Sequence, residues 1–430
     1  MSKPPIRVAL FPDSLHEVNG VANTCRNFAE FARRQELPFL VICAEEENKV
    51  TQDGSVTRLG LRRGRISFGL EKDLRFDMLF LRHYERIVEA LRNFQPDVVH
   101  ITGPSDVGIV GAIAGHRMGI PVCASWHTNL HEYAARRSET VIPRWIRQER
   151  RQKLMQQIED WSFRGSALFF TVGRFHFAPN RELIDKLSAA THKPCYLMER
   201  GVDHVLFSPA KRDRADDGQI VVGFVGRLST EKKVRFFAEI ADAVRAAGHT
   251  NVKFVFVGHG RDHDWLQENV KGAQMTGVLR GEALATAYAN MDLFAFPSET
   301  DTFGNVVLEA LAAGVPAVVT NQGGPKFIVE HRKSGFIAED NAQFIDAVVQ
   351  LVRDAGLRKT MAVEARERAL RASWTRVFSS VYDAYEEQLP QTERAAEQAP
   401  LRAMLAASTG AEEVLFNSRT RMYGGIDKRL

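Results

Sequence analysis

Short apolar runs separated by helix-length stretches constrain this 430-residue chain more than any other feature. In the first half Ile6–Phe11, Phe39–Cys43, Val98–Ile101, Pro121–Ser125 and Ala167–Thr171 are short and rich in β-branched or aromatic residues. Stretches of helical length, such as Asn23–Arg34 and Phe80–Asn93, lie between them. The second half repeats the pattern with Ile220–Val225, Val252–Val257, Leu293–Phe296 and Val315–Thr320. Helical segments Phe236–Ala247 and Asp262–Val270 separate these runs, and Ala283–Asn290 follows. Unbroken apolar strands with helical crossovers predict parallel sheets covered on both faces. The chain is too long for one ordinary core, so two α/β units are expected, joined near the polar stretch Asp203–Gln219. Open parallel sheets bind ligands beyond the carboxyl ends of their strands, which puts the expected site in a cleft between two lobes.

With 44% apolar and 26% charged residues, the composition is that of an ordinary globular protein. No stretch approaches the roughly 18 apolar residues of a membrane helix, and the best candidate, Val107–Gly115, is far too short. The apolar run Val8–Phe11 stops at Pro12 and reads as a first strand, not a signal peptide. Cys25, Cys43, Cys123 and Cys195 are scattered, without the spacing of a disulfide framework or zinc site. Buried thiols in a reducing cytoplasm are the expectation. Residues 1–200 carry 29 Lys+Arg against 23 Asp+Glu, and residues 201–430 carry 28 against 30. The basic excess thus lies in the first half, and it is modest enough to serve solubility alone.

The segment Ser298–Gly314 carries the densest chemistry. Asp301 and Glu309 are separated by seven residues with a helix start between them. Thr302 or Ser298 can cap that helix, Gly304 lets a ligand approach the backbone, and Val306-Val307-Leu308 with Leu311 form an apolar stripe. Such a helix aims free N–H groups and a positive dipole end at whatever lies before it. Glu309, about two turns on, can accept hydrogen bonds from vicinal hydroxyls. An anion at the tip and hydroxyls along the flank describe a sugar nucleotide.

After Val221–Val225 comes Gly226-Arg-Leu-Ser-Thr-Glu-Lys-Lys233. Arg227 and Lys232 fall in a strand-to-helix loop, where two fixed cations can neutralise a leaving diphosphate without a metal. Alone, a solvated basic loop accounts for them better. Their place at the strand ends nearest the Gly304 helix tip favours the ligand.

Here the chain resembles a family 4 (group 1) retaining glycosyltransferase of the GT-B type. The landmarks occur in family order: Asn19-Gly-Val-Ala22, Ser125-Trp-His-Thr-Asn129, Gly201-Val-Asp203 with Phe207-Ser-Pro209, then Gly226-Arg227 with Glu231-Lys232. Pro297-Ser…Asp301…Glu309-Ala…Gly314-Val-Pro316 completes the set, and the match covers roughly residues 5–389. The resemblance implies two Rossmann-like domains facing across a central cleft. Residues 1–202 would form the acceptor-side domain and 203–372 the nucleotide-sugar domain. A helix at 373–389, opened by Trp374, would return to the first domain, leaving 390–430 as a tail of unknown role. The tail, rich in Ala, Glu and Arg and broken by Pro400 and Gly410, reads as loosely packed or disordered.

The resemblance also implies roles. Arg227 and Lys232 match the pair that holds the diphosphate, and Glu309 the acid that binds the ribose. The Phe303, Gly304, Asn305 and Val306 backbone matches the part contacting donor sugar and phosphate, and Gly20 the glycine loop near the donor phosphate. Asp301 stands where the family usually has Glu, contacting hydroxyls of the transferred sugar with one methylene less reach. A lone histidine at a strand end, like His127, more often packs or caps than catalyses. Its match to the family histidine near the donor sugar makes it a site residue. His100, His131 and His259 keep structural readings.

No second acid stands beside His127 to act as a covalent nucleophile. Retention would then follow from departure of the diphosphate and attack on the same face, with catalysis by positioning and charge. The expected reaction moves a hexosyl group from a UDP- or GDP-sugar to a lipid or glycan hydroxyl, with no metal and no further cofactor. Arg136–Arg164 holds eight Arg and Lys against four acids, with Trp145, Ile146 and Leu154 interleaved. On a helix it either lies on an anionic bilayer, making the protein peripheral at the inner face of the membrane, or is a solvated helix. No nucleic-acid module is present. The alternatives are an epimerase or phosphorylase on the same fold, or a non-catalytic nucleotide-sugar binder. A nicotinamide enzyme is disfavoured because Gly258-His-Gly260 lacks the third glycine, position 263 being His.

Overall fold

The computed structural model describes residues 4–16, 20–64, 67–71, 74–77, 79–127, 148–215 and 217–389. Through the first half the order is β1 (Val8–Phe11), α1 (Gly20–Arg34), β2 (Phe39–Glu45), β3 (Lys49–Asp53), β4 (Val56–Arg62), β5 (Ser67–Glu71), β6 (Leu74–Asp77), α2 (Tyr84–Phe94) and β7 (Val98–Ile101). There follow α3 (Asp106–Arg117), β8 (Val122–Ser125), α4 (Gln148–Phe170), β9 (Phe175–Ala178), α5 (Arg181–Thr191) and β10 (Cys195–Leu197). The strands make an eight-stranded sheet in the order β10-β9-β8-β7-β1-β2-β4-β3, with β5 and β6 in a separate two-stranded sheet. β1 pairs in parallel with both β2 and β7, whereas edge strand β3 runs antiparallel to β4.

The second half runs β11 (Ile220–Val225), α6 (Phe237–Ala246), β12 (Val252–Val257), α7 (His263–Asn269), β13 (Ala273–Gly277), α8 (Gly281–Ala289), β14 (Leu293–Phe296), α9 (Asn305–Ala312), β15 (Ala317–Thr320) and β16 (Gly335–Ala338). Three helices close the described chain: α10 (Asn341–Arg353), α11 (Ala355–Leu370) and α12 (Trp374–Gln388). The six strands pair in parallel in the order β13-β12-β11-β14-β15-β16. The order reverses between β11 and β14, the switch point where such sheets bind ligands at their carboxyl ends.

The chain divides into two compact units. One holds residues up to Ala124, Val172–Phe175 and the chain from Tyr382; the other holds Ser125–Thr171 and His176–Val381. In the second, Phe224, Phe256, Phe294 and Phe296 from three adjacent strands are fully buried. Phe237 of α6 meets Phe256 edge-on at 4.9 Å, and Phe224 stacks on Phe296 at 5.7 Å. Burying one such ring contributes about 2–3 kcal/mol, so this aromatic layer anchors the helices to the strands that carry the site loops. In the first unit, His100 of β7 is fully buried with Nδ1 2.5 Å from the Tyr385 hydroxyl of α12. Burial pushes its imidazole down to about 3, a neutral core residue.

Two sequence expectations need correction. Ala167–Thr171, expected as a strand, closes α4 instead, and the strand begins at Phe175. Ala167 and Phe170 are buried, with Phe170 stacked on Trp126 at 4.8 Å, whereas Leu168 between them is exposed. Second, the sheets are not wholly parallel. β3 is exposed at all five residues and has no apolar alternation to announce it. Residues 390–430 lie outside the described residues. Among the described residues no helix is long and apolar enough to cross a membrane, and Cys25, Cys43, Cys123 and Cys195 are free thiols.

Candidate active site

The loop after β11 is fixed by its neighbour after β12. Leu228 N–H donates to His259 O at 3.1 Å, and Asp262 N–H to Leu228 O at 3.1 Å. Gly258 has φ +139°, and a Cβ there would lie 1.9 Å from Gly226 O. Gly258 is therefore needed for backbone contact with the Arg227 loop, which gives the incomplete glycine motif its purpose. The loop ends in a short 3-10 turn, Thr230–Lys232.

That turn delivers Lys232 to Asp301. Lys232 Nζ lies 2.8 and 2.7 Å from the two carboxylate oxygens, and both side chains are largely buried. The ammonium also sits 5.9 Å over the Phe296 ring. Charge-assisted bonds to both oxygens make this a stronger pairing than a surface ion pair. Arg227 differs: its side chain is 55% exposed and reaches Glu231 at 3.3 Å. The two expected phosphate ligands are thus one anchored ammonium and one outward guanidinium.

Neither expected cap closes α9. Its N-cap is Gly304, at φ +96° and without a side-chain cap bond, while the Ser298 hydroxyl is buried with no partner among the described residues. A Cβ on Gly304 would fall 2.8 Å from Pro325 Cγ. The left-handed turn and tight packing both demand glycine, and they leave the first N–H groups of α9, at Asn305 and Val306, without a side-chain acceptor. Phe303 is buried beside them.

Glu309 of α9 accepts a 2.8 Å hydrogen bond on Oε2 from the Tyr288 hydroxyl of α8. The residue is half-buried, and its carboxyl lies deep enough that desolvation pushes it up to about 7 despite that bond. Tyr288 is fully buried, edge-on to Phe207 at 5.7 Å. The Phe207-Ser-Pro209 landmark therefore buttresses the tyrosine that holds the acid.

His127 lies just past β8, buried, with Nε2 2.6 Å from Ser125 Oγ. Its Nδ1 is 2.7 Å from a guanidinium nitrogen of buried Arg200, whose Cζ lies 5.9 Å over the Phe303 ring. Gly20 is the first residue of α1 in the other unit, and its carbonyl accepts from Thr24 Oγ1 at 2.8 Å. Asn19, Thr128, Asn129 and His131 lie outside the described residues.

The group 1 glycosyl transferases match residues 219–354, and glycosyltransferase family 4 matches residues 18–176. A GDP-mannose-dependent alpha-mannosyltransferase from Mycobacterium tuberculosis is 31% identical over 397 residues, 89% of this chain and 96% of that protein. This chain belongs to the group 1, family 4 glycosyltransferases. A sulfoquinovosyl transferase from Arabidopsis thaliana is 29% identical over 88% of this chain and 74% of its own length. Among solved structures, sucrose-phosphate synthase from Thermosynechococcus elongatus superposes with a TM-score of 0.65 at 17% identity, covering 89% of this chain and 98% of that one. That likeness shows the GT-B fold. The enzyme is accordingly a retaining glycosyltransferase, and neither the epimerase or phosphorylase reading nor that of a silent binder finds support.

The structure of this family 4 enzyme brings Lys232 to Asp301 ahead of the Gly304 turn, and Tyr288 to Glu309 on the helix that follows it. Tyr288 and Arg200 escaped the sequence reading. Tyr288 sits in an apolar helical stretch where a tyrosine reads as core, 21 residues from the acid it serves. Arg200 stands directly before the Gly201-Val-Asp203 landmark, and a charge between Met198 and Gly201 was the available signal.

Proposed function

We propose that this enzyme transfers a hexosyl group from a nucleotide-diphosphate sugar, GDP-mannose first among them, to a lipid or glycan hydroxyl with retention. The observation that carries the reading is the continuous arrangement along one loop-helix segment: Lys232 on Asp301, an uncapped helix start at Gly304, and Glu309 presented by Tyr288. Three relatives at 27–31% identity, each matched over more than nine tenths of its length, are named GDP-mannose-dependent alpha-mannosyltransferases. They support that choice of donor.

In this reading residues 1–202 serve the acceptor, 203–372 the donor, and 373–389 form the returning helix. Lys232 and Arg227 take the diphosphate, the Phe303–Val306 backbone its oxygens, Glu309 the ribose diol, and Asp301 and His127 hydroxyls of the sugar. Gly20 approaches the donor phosphate. The bond from C1 to the phosphate oxygen breaks and one from C1 to the acceptor oxygen forms on the same face. The acceptor proton passes to a diphosphate oxygen, and two cations with the α9 N-terminus stabilise the departing charge in place of a metal. Thermal shift against UDP-, GDP- and ADP-sugars tests the donor. A GDP-mannose response no larger than that of ADP-glucose overturns the choice.

The peripheral-membrane reading gains support from α4. Leu154, Trp161 and Leu168 are 38%, 75% and 70% exposed. Seven-residue spacing puts them in one stripe of the helix, with exposed Arg150 and Arg164 beside it. An apolar stripe flanked by arginines suits an anionic interface and a lipid acceptor. Residues 136–147 of the basic segment lie outside the described residues. Sedimentation with vesicles of increasing anionic content tests it, and binding independent of that content, or unchanged in Trp161→Ser, rejects it.

A further inference from the structure

We propose that Arg200 is a positioning residue that fixes the proton of His127 on Nε2, so that the histidine meets the donor as a hydrogen-bond donor and not as a base. The proposal rests on the reading of His127 as a donor-sugar contact. Arg200 is 3% exposed, and its guanidinium also donates to Met198 O at 3.2 Å, so its head is held from two sides. A guanidinium carries only donors. At 2.7 Å from it, Nδ1 must supply its lone pair, because an Nδ1–H would meet an N–H of Arg200 head-on. The ring proton is therefore on Nε2, pointing at Ser125 Oγ 2.6 Å away. Ser125 is buried, and its hydroxyl can turn to accept that proton.

This arrangement settles what His127 can do. A doubly protonated ring would carry an Nδ1–H and lose the Arg200 bond. A ring with its lone pair on Nε2, the form needed to take a proton from an acceptor hydroxyl, is opposed by the same bond. What remains is a neutral imidazole offering Nε2–H, which Ser125 occupies and which a sugar hydroxyl can take over. Arg200 also lies against Phe303, next to the Gly304 turn. One side chain thereby sets the histidine and touches the donor loop, which places it to register the sugar contact against the phosphate contact.

The decisive experiment is nitrogen-15 NMR of histidine-labelled enzyme, with His127 assigned by its loss in His127→Gln. The expected result is an Nε2-protonated, Nδ1-unprotonated ring from pH 6 to 8, with Arg200→Lys keeping that tautomer and Arg200→Met giving a mixture. An Nδ1–H ring in wild type, or an unchanged ring in Arg200→Met, overturns the proposal. The wild-type spectrum decides even if Arg200→Met fails to fold. Steady-state kinetics follow: Arg200→Met should lower kcat for transfer at least tenfold with donor KM changed less than threefold, and Arg200→Lys should recover most of it. A loss confined to KM, or no rescue by lysine, counts against positioning. The NMR readout requires no donor, so an enzyme that binds no sugar nucleotide defeats the functional reading and leaves the tautomer result standing.

Discussion

Substitution of Tyr288 by phenylalanine isolates one hydrogen bond whose consequence for donor binding can be worked out. The Tyr288 hydroxyl donates to Glu309 Oε2, and burial holds that carboxyl at about 7. Ribose hydroxyls bind best to the ionised acid, which accepts on both oxygens. A hydrogen bond to a charged group contributes about 1.5 kcal/mol, so its loss raises the acid by about one pKa unit, to about 8. At pH 7.5 the ionised fraction then falls from about 0.76 to about 0.24, and donor affinity weakens about threefold. The deficit grows to about eightfold at pH 6.5 and nearly vanishes at pH 9. The sign follows because donor binding favours the deprotonated acid. Affinity therefore rises with pH through 7 in wild type, and the rise moves to higher pH in the variant. Isothermal titration with GDP-mannose at pH 6.5, 7.5 and 9 measures this. An affinity deficit independent of pH means that Tyr288 only packs, and no deficit at any pH means that Glu309 does not meet the donor as an anion.

The other substitutions separate charge from scaffold. Lys232→Ala should reduce turnover by two orders of magnitude or more with the enzyme still folded. It should also lower Tm more than Asp301→Asn, because it strands a largely buried carboxylate; near-normal turnover would remove the diphosphate role. Arg227→Ala should cost turnover heavily with a smaller drop in Tm than Lys232→Ala, since its side chain is more than half exposed. Gly304→Ala forces a side chain into a φ of +96° and against Pro325, which should cost at least about 1–2 kcal/mol by chemical denaturation and abolish transfer. Unchanged denaturation midpoints would contradict the turn geometry. Turnover should persist in excess EDTA, and a strict requirement for Mg²⁺ would mean the side-chain cations do not replace the metal.

The second sheet was the more legible half of the fold. Ile220–Val225, Val252–Val257 and Leu293–Phe296 form the strands expected at those residues, because buried parallel strands are apolar throughout and ordinary turn residues bound them. The first sheet was harder. Its edge strand β3 is wholly exposed, so burial wrote no pattern into it, and in Ala167–Thr171 the buried Ala167 and Phe170 belong to a helix, not a strand. The helix start between Asp301 and Glu309 lies where the sequence placed one, with Gly304 at its N-cap. The Lys232–Asp301 pairing joins residues 69 apart, and the Tyr288–Glu309 bond joins a core-like tyrosine to an acid on another helix. Such contacts are set by how loops close over a sheet edge. The capping expectation at Thr302 or Ser298 failed for the same reason: packing against Pro325 selected a glycine turn over a side-chain cap.

Retaining transfer is tested most directly by proton NMR of the reaction with GDP-mannose and a panel of lipid and glycan acceptors. GDP should be released together with a product whose new linkage has the donor's anomeric configuration, and Lys232→Ala should lose both signals. An inverted linkage, or wild-type transfer by Lys232→Ala, would contradict that expectation.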